Sequence, residues 1–299
     1  MLFKRCACIT VHCWGGLGSQ LYSWALLEDL VKDFPSRRIK LVLHNSGVTK
    51  RQSDLDFLGL ELPLELVDDF RNSFKPLHGS GEKKMRLKSK ILKLVKLLLE
   101  ATGFLATANT DNEYKKIRGW TTQVRGHYSY RTISKDTLLR MKLRSQRCGR
   151  NWLIDDDSDL LRSDVLQVHV RLGDLLLLES KGPLSFERIF STIDQYISKD
   201  SNWETIEISS DSPETALEHF LKRYPHHKIT SIVHDPWNTI RSLSSGGTFI
   251  GTNSKISVWI AILKLNKDCA SRVSLPNGSM NHIKHNLADF SEFKSLFVY

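Results

Sequence analysis

Twice along this sequence an apolar, β-branched run gives way to a loop, then to a helical period, then to another apolar run. The first instance begins at residues 6–14, whose Ile, Thr, Val and Cys content suits a buried strand. Gly15-Gly16-Leu17-Gly18 follows, and from Ser19 to Asp33 the apolar residues Leu21, Trp24, Ala25, Leu27 and Leu30 recur at helical spacing. Arg38–His44 is the next strand. The pattern restarts at Val165–Val170 and runs on through helices near Phe186–Ile197 and Pro213–Arg223. Strands at Glu204–Ser209, Lys228–Val233 and Thr248–Ile250 alternate with them, and a helix from about Asn253 to Leu265 closes the series. Such alternation argues for parallel sheets flanked by helices. The expected fold is α/β, with two facing doubly wound, Rossmann-like domains whose strand ends surround a shared cleft.

A chain of 299 residues is long enough for two cores. The polar stretch Ser145–Asp164, with its acidic run Asp155 to Asp159, marks the expected boundary, giving domains 1–150 and 151–299. Apolar runs such as Leu175–Leu178 are far too short to span a bilayer. The first fourteen residues carry Lys4 and Arg5 but no long apolar segment, so they read as a strand and not as a signal peptide. Five cysteines, three of them crowded at Cys6, Cys8 and Cys13, make neither a disulfide framework nor a zinc knuckle. Free thiols in a reducing, cytoplasmic compartment are the expectation. The formal charge of +10 favours an anionic partner, and no recognised nucleic-acid-binding motif accompanies it.

Three motifs carry chemistry. Gly15-Gly16-Leu17-Gly18-Ser19-Gln20 joins a strand to a helix, where glycines admit positive φ and let backbone N–H groups approach a ligand. It lacks the Lys-Ser/Thr of a phosphate-binding Walker loop and the third glycine of a dinucleotide fingerprint, so a plain tight turn is the competing reading. Val168-His169-Val170-Arg171-Leu172-Gly173-Asp174 ends an apolar strand in charged groups, which are costly unless they face a polar cleft. Arg171 there suits a phosphate, His169 a nucleobase edge, and Asp174 either orients the arginine or takes a proton; the alternative is a structural Arg171–Asp174 pair. In Gly251-Thr252-Asn253-Ser254-Lys255-Ile256-Ser257, Asn253 or Ser254 caps a helix whose start also suits a diphosphate.

Together these motifs resemble those of the α-1,2-fucosyltransferases. GGLGSQ is similar to their GGLGNQ opening, VHVRLGD to their HVRRGD segment, and GTNSKISVWIAIL to a segment of the form NS-x-F-S-x-W-A-x-L. Weaker echoes lie at Arg125-Gly126-His127-Tyr128 and at Ile208-Ser209-Ser210-Asp211, so the resemblance covers roughly residues 10–265. It implies a GT-B fold and inverting transfer of fucose from GDP-fucose to a glycan hydroxyl, with no metal or other cofactor. It also implies that Arg171 meets the β-phosphate, that His169 and Asp211 meet guanine or ribose, and that Asn253, Ser254 and Ser257 lie near the diphosphate. Gly15, Gly16, Gly18 and Gln20 would line the cleft, with Asp174, or else Glu179, as the base. Departures stand at Ser19 for Asn, Leu172 for the second Arg, and Lys255-Ile256 for a small residue and Phe. Another nucleotide sugar on the same fold is one alternative. A metal-dependent GT-A enzyme, using Asp155 and Asp157, is another.

Outside the motifs, residues 83–100 form a basic amphipathic helix by pattern. Leu87, Ile91, Leu94, Val95 and Leu98 share one face, and Lys83, Arg86, Lys90, Lys93 and Lys96 lie opposite. Its two readings are a surface helix packed on the first domain and a peripheral contact with an anionic membrane carrying lipid-linked acceptors.

Overall fold

The computed structural model describes residues 8–44, 54–55, 65–68, 94–95, 97–99, 101–102, 104–108, 121–124, 131, 133–149, 164–173, 184–199, 203–232, 235–267, 272–276 and 296–298. The chain divides into two compact units, Met1–Ser129 and Tyr130–Tyr299. The division falls some twenty residues before the expected boundary, so helix α2 (Lys135–Arg147) belongs to the second unit. Composition suggested the polar stretch near residue 150. A boundary follows from shared contacts, however, and α2 buries Leu138, Met141, Arg144 and Ser145 despite its polar sequence.

The first unit holds a parallel sheet built from β1 (Cys8–Trp14), β2 (Arg38–His44), β3 (Glu65–Asp68), β4 (Leu105–Ala108) and β5 (Thr121–Val124), in the order β3-β2-β1-β5-β4. Helix α1 (Leu17–Asp33) follows β1 directly, and its Leu21, Trp24, Ala25, Leu27 and Leu30 are fully buried. At roughly 1.5–3 kcal/mol for each large apolar side chain, that burial holds the helix to the unit. The chain steps outward from β1 to β2 and β3, then crosses to the other side, so the winding reverses between β1 and β5.

In the second unit six described strands form another wholly parallel sheet: β6 (Val165–Val170), β7 (Thr205–Ser210), β8 (Lys228–Ile232), β9 (Thr248–Gly251), β10 (Val273–Leu275) and β11 (Leu296–Val298). Their order, β11-β10-β9-β6-β7-β8, is the doubly wound Rossmann order. Helices α3 (Phe186–Lys199), α4 (Pro213–Arg223), α5 (Pro236–Leu243) and α6 (Lys255–Lys267) supply crossovers. Both units are therefore Rossmann-like, as the alternation in the sequence requires.

Strand β6 carries two different faces, although all six of its residues are buried. Leu166, Val168 and Val170 enter an apolar core with Ile189 and Ile193 of α3 and Phe220 of α4. Gln167 and His169 point the opposite way, toward α5 and α6. Lys264 of α6, only 2% exposed, donates to the Gln167 side chain at 3.1 Å, to the Leu243 carbonyl at 3.4 Å and to the Gly246 carbonyl. The Gln167 amide in turn donates to Glu207 of β7 at 3.4 Å. A buried ammonium is tolerated here because the carbonyls at the end of α5 and the glutamine oxygen replace its water.

Candidate functional site

The winding of the second sheet reverses between β6 and β9, and at such a switch point the loops at the carboxyl ends of the strands diverge and leave a crevice. The register sets His169 of β6 beside Gly251 of β9 on one side and Ser209 of β7 on the other. Three stretches more than thirty residues apart in sequence therefore end side by side.

Glycine at 251 is required by crowding. A Cβ there would stand 2.7 Å from the Ser257 Cβ and 2.5 Å from a Leu275 methyl. That closeness lets α6 begin immediately after β9. Ser254 is the N-cap of α6: its hydroxyl accepts from the Ile256 N–H at 3.2 Å, and its carbonyl accepts from Val258 at 3.1 Å.

Ser257, on the first turn of α6, is wholly buried and joins two strand ends. Its Oγ accepts from the Thr252 N–H at 3.1 Å and lies 2.7 Å from His169 Nδ1. The hydroxyl proton needs an acceptor, and among the described residues Nδ1 is the one within reach. We therefore assign the ring proton of His169 to Nε2. Burial, and secondarily the neighbouring Arg171 charge, lowers the His169 pKa from 6.5 to about 4, with Asp211 opposing them. At neutral pH the imidazole is an uncharged donor.

Arg171 lies just past β6 with its side chain 21% exposed. Its backbone N–H donates to Thr252 Oγ1 at 3.0 Å, and its Nε lies 3.2 Å from Asp211 Oδ2. Asp211, just past β7, also accepts from the N–H groups of Leu172 at 2.8 Å and Gly173 at 3.2 Å. The carboxylate thus fixes both the turn and the guanidinium. Any side chain on Gly173 would overlap that carboxylate.

No family model and no curated protein matches this chain. Among solved structures it is similar to POFUT1 in complex with GDP, at 11% identity over 91% of this chain and 98% of that one, with a TM-score of 0.41. It is also similar to the E. coli heptosyltransferase WaaC with ADP, at 9% identity, 97% and 92% coverage and a TM-score of 0.45. A third is the glycosyl transferase family 9 from Veillonella parvula, at 14% identity, 90% and 80% coverage and a TM-score of 0.42. Likenesses this distant say nothing of donor, acceptor or linkage.

The expected donor residues His169, Arg171, Asp211, Ser254 and Ser257 thus gather around one strand-end region, with Asn253 exposed beside them. Two of them act differently from expectation. Ser257 has no exposed surface, so it works through His169 and Thr252. The Asp211 carboxylate is engaged by Arg171, Leu172 and Gly173, which makes it a positioning group for the arginine. Leu172 is 4% exposed and sits in the apolar core, so this position brings no cation to the strand ends. Asp174, Glu179 and the acidic run at Asp155 lie outside the described residues.

In the first unit the glycine turn forms as expected. Gly15 takes φ +91°, in the left-handed region, and Gly16 precedes α1 with no side-chain cap. Gly18 is buried. Gln20, 2% exposed, donates to the Gly15 carbonyl at 3.1 Å and accepts from the Asp54 N–H at 2.8 Å, so it braces the turn. Sequence reasoning passed over Thr252, whose hydroxyl joins β9 to β6. A polar residue at the end of a buried strand was the available signal. It also passed over His12, 6% exposed and 2.7 Å from the Gln123 side chain, which marks the reversal between β1 and β5.

Proposed function

We propose that the chain is an inverting glycosyltransferase that moves fucose from GDP-fucose to a glycan hydroxyl, with the donor bound by the second unit and the acceptor by the first. The observation that carries this reading is the convergence of His169, Arg171 with its bracing Asp211, Thr252 and the capped start of α6 at the switch point of a Rossmann-like sheet. A fixed arginine beside a helix start suits a diphosphate, and a neutral imidazole N–H suits an acceptor atom on a base or ribose. The motif resemblance to the α-1,2-fucosyltransferases supports guanine and fucose as the particular donor.

In the reaction, the acceptor oxygen attacks the anomeric carbon of fucose from the face opposite GDP. As the new C–O bond forms, the bond to the β-phosphate oxygen breaks and GDP leaves with the bonding pair. Arg171 and the α6 N–H groups stabilise the charge that grows on that phosphate. The acceptor proton passes to a base, for which Asp174 is the candidate.

A thermal-shift panel tests the donor directly, because a ligand that binds the folded state raises its Tm. GDP and GDP-fucose should protect more than UDP, ADP or NAD. Transfer to glycan acceptors should continue in EDTA. Protection by UDP-sugars with none by GDP overturns the assignment of the donor.

A further inference from the structure

Packing on the first unit would bury the apolar residues of the segment 83–100, yet the described ones are open. Leu94, Val95, Leu97, Leu98 and Leu99 are helical and 61%, 45%, 61%, 58% and 40% exposed. Phe104, just before β4, is 58% exposed. The helical run ends at Thr102, whose hydroxyl and N–H bond back to the Leu98 carbonyl at 2.9 and 3.0 Å. Six large apolar side chains are thus exposed within eleven residues, a density unlike the singly scattered apolar residues of an ordinary surface and of the kind that marks an interaction site.

Residues 83–93 and 96 lie outside the described residues, but the charge of their sequence argues for one occupant. Between Lys83 and Lys96 the sequence has seven Lys or Arg and no Asp or Glu, in a chain whose formal net charge is +10. A second copy docking there would bring two such cationic runs together, which is repulsive. A bilayer span is excluded by the interleaved lysines, and among the described residues no helix is long and apolar enough to cross a membrane. Leucines and a phenylalanine beside a dense lysine run match the interface of an anionic bilayer, where the apolar side chains enter the acyl boundary and the cations meet lipid phosphates. We infer that residues 83–104 attach the protein to the surface of anionic membranes.

The surface is independent of the proposed transfer, and its test leaves donor binding untouched. Full-length protein is mixed with phosphatidylcholine vesicles, with or without about a quarter of phosphatidylglycerol, and its partition is measured by flotation. Binding to the anionic vesicles should exceed binding to the neutral ones at least about tenfold and weaken at high salt. Leu94→Asp combined with Leu98→Asp, and separately Lys90→Glu with Lys93→Glu, should each remove most of that partition while Tm and the response to GDP stay unchanged. A Leu97→Trp reporter should shift its emission to the blue only with anionic vesicles. Equal binding to both vesicle types, or variants that partition like the parent protein, overturns the inference. So does lipid-free self-association that the Leu94→Asp, Leu98→Asp variant abolishes, since the patch would then belong to a second copy.

Discussion

Replacing Arg171 by alanine separates chemistry from folding, because its structural and catalytic contributions differ in size. On the structural side, the change removes, among other contacts, the Nε–Asp211 pair at 3.2 Å between side chains 21% and 31% exposed. A partly solvated ion pair contributes about 1 kcal/mol or less. Asp211 also keeps its bonds from the Leu172 and Gly173 N–H groups, so no buried charge is stranded. For a unit the size of Tyr130–Tyr299 the fall in Tm from losing that pair is at most about 2–4 °C. On the catalytic side, the proposed charge-assisted bond to the departing β-phosphate would contribute on the order of 2–4 kcal/mol to the transition state, so its removal should cost roughly thirtyfold to thousandfold in kcat/KM. Lysine should recover only part of this, because one ammonium cannot reach Asp211 and also present a planar fork. The assay pairs thermal melts with initial rates of GDP release from GDP-fucose in the presence of acceptor, using Arg171→Ala and Arg171→Lys. A folded alanine variant with near-normal turnover would refute the reasoning.

Three other outcomes follow from the geometry of the second unit. His169 has a folded-state pKa of about 4, below its ordinary 6.5, so the unfolded chain takes up a proton that the folded chain refuses. The His169 contribution to stability should be constant above about pH 6.5 and fall by roughly 3 kcal/mol as pH drops toward 4, so His169→Gln should flatten that part of the pH dependence in urea unfolding; an unchanged slope in the variant would count against a buried neutral imidazole. Ser257→Ala leaves the Thr252 N–H and His169 Nδ1 without their buried partner. It should cost about 2–4 kcal/mol, and nitrogen NMR should show the His169 ring passing from Nε2–H alone to a mixture of tautomers; retention of the single form would show that Ser257 does not set it. Lys264→Met strips the donor from Gln167 and from the carbonyls of Leu243 and Gly246. A loss of about 2–4 kcal/mol of stability with unchanged turnover per folded molecule is expected, and a selective loss of GDP affinity would instead tie the buried lysine to the site.

The sequence by itself determined the elements that form through their own periodicity. β2 and β6 lie where their apolar runs end, α4 spans the expected Pro213–Arg223, and the glycines at 15 and 16 mark the turn before α1. It also singled out His169 and Arg171, because polar and charged groups at the end of an apolar strand are costly unless they find partners. It did not reveal β3, β4, β5, β10 or β11, which are three or four residues long. Runs so short carry no readable alternation and persist through ladder bonds to neighbouring strands. The eight-residue α5 was missed too, although Asp235 before Pro236 signals a helix start: its carboxylate accepts from the Trp237 and Asn238 N–H groups. Only the tertiary structure decided what each polar group does. Asp211 reads as a ligand residue in sequence, yet it turns to Arg171 and to two backbone N–H groups. Ser257 reads as a phosphate contact, yet it is enclosed between His169 and Thr252. The physical reason is that a hydrogen bond depends on distance and direction across strands some forty to ninety residues apart. Residue type fixes what a group can donate or accept, while the fold fixes which partner stands within about 3 Å of it.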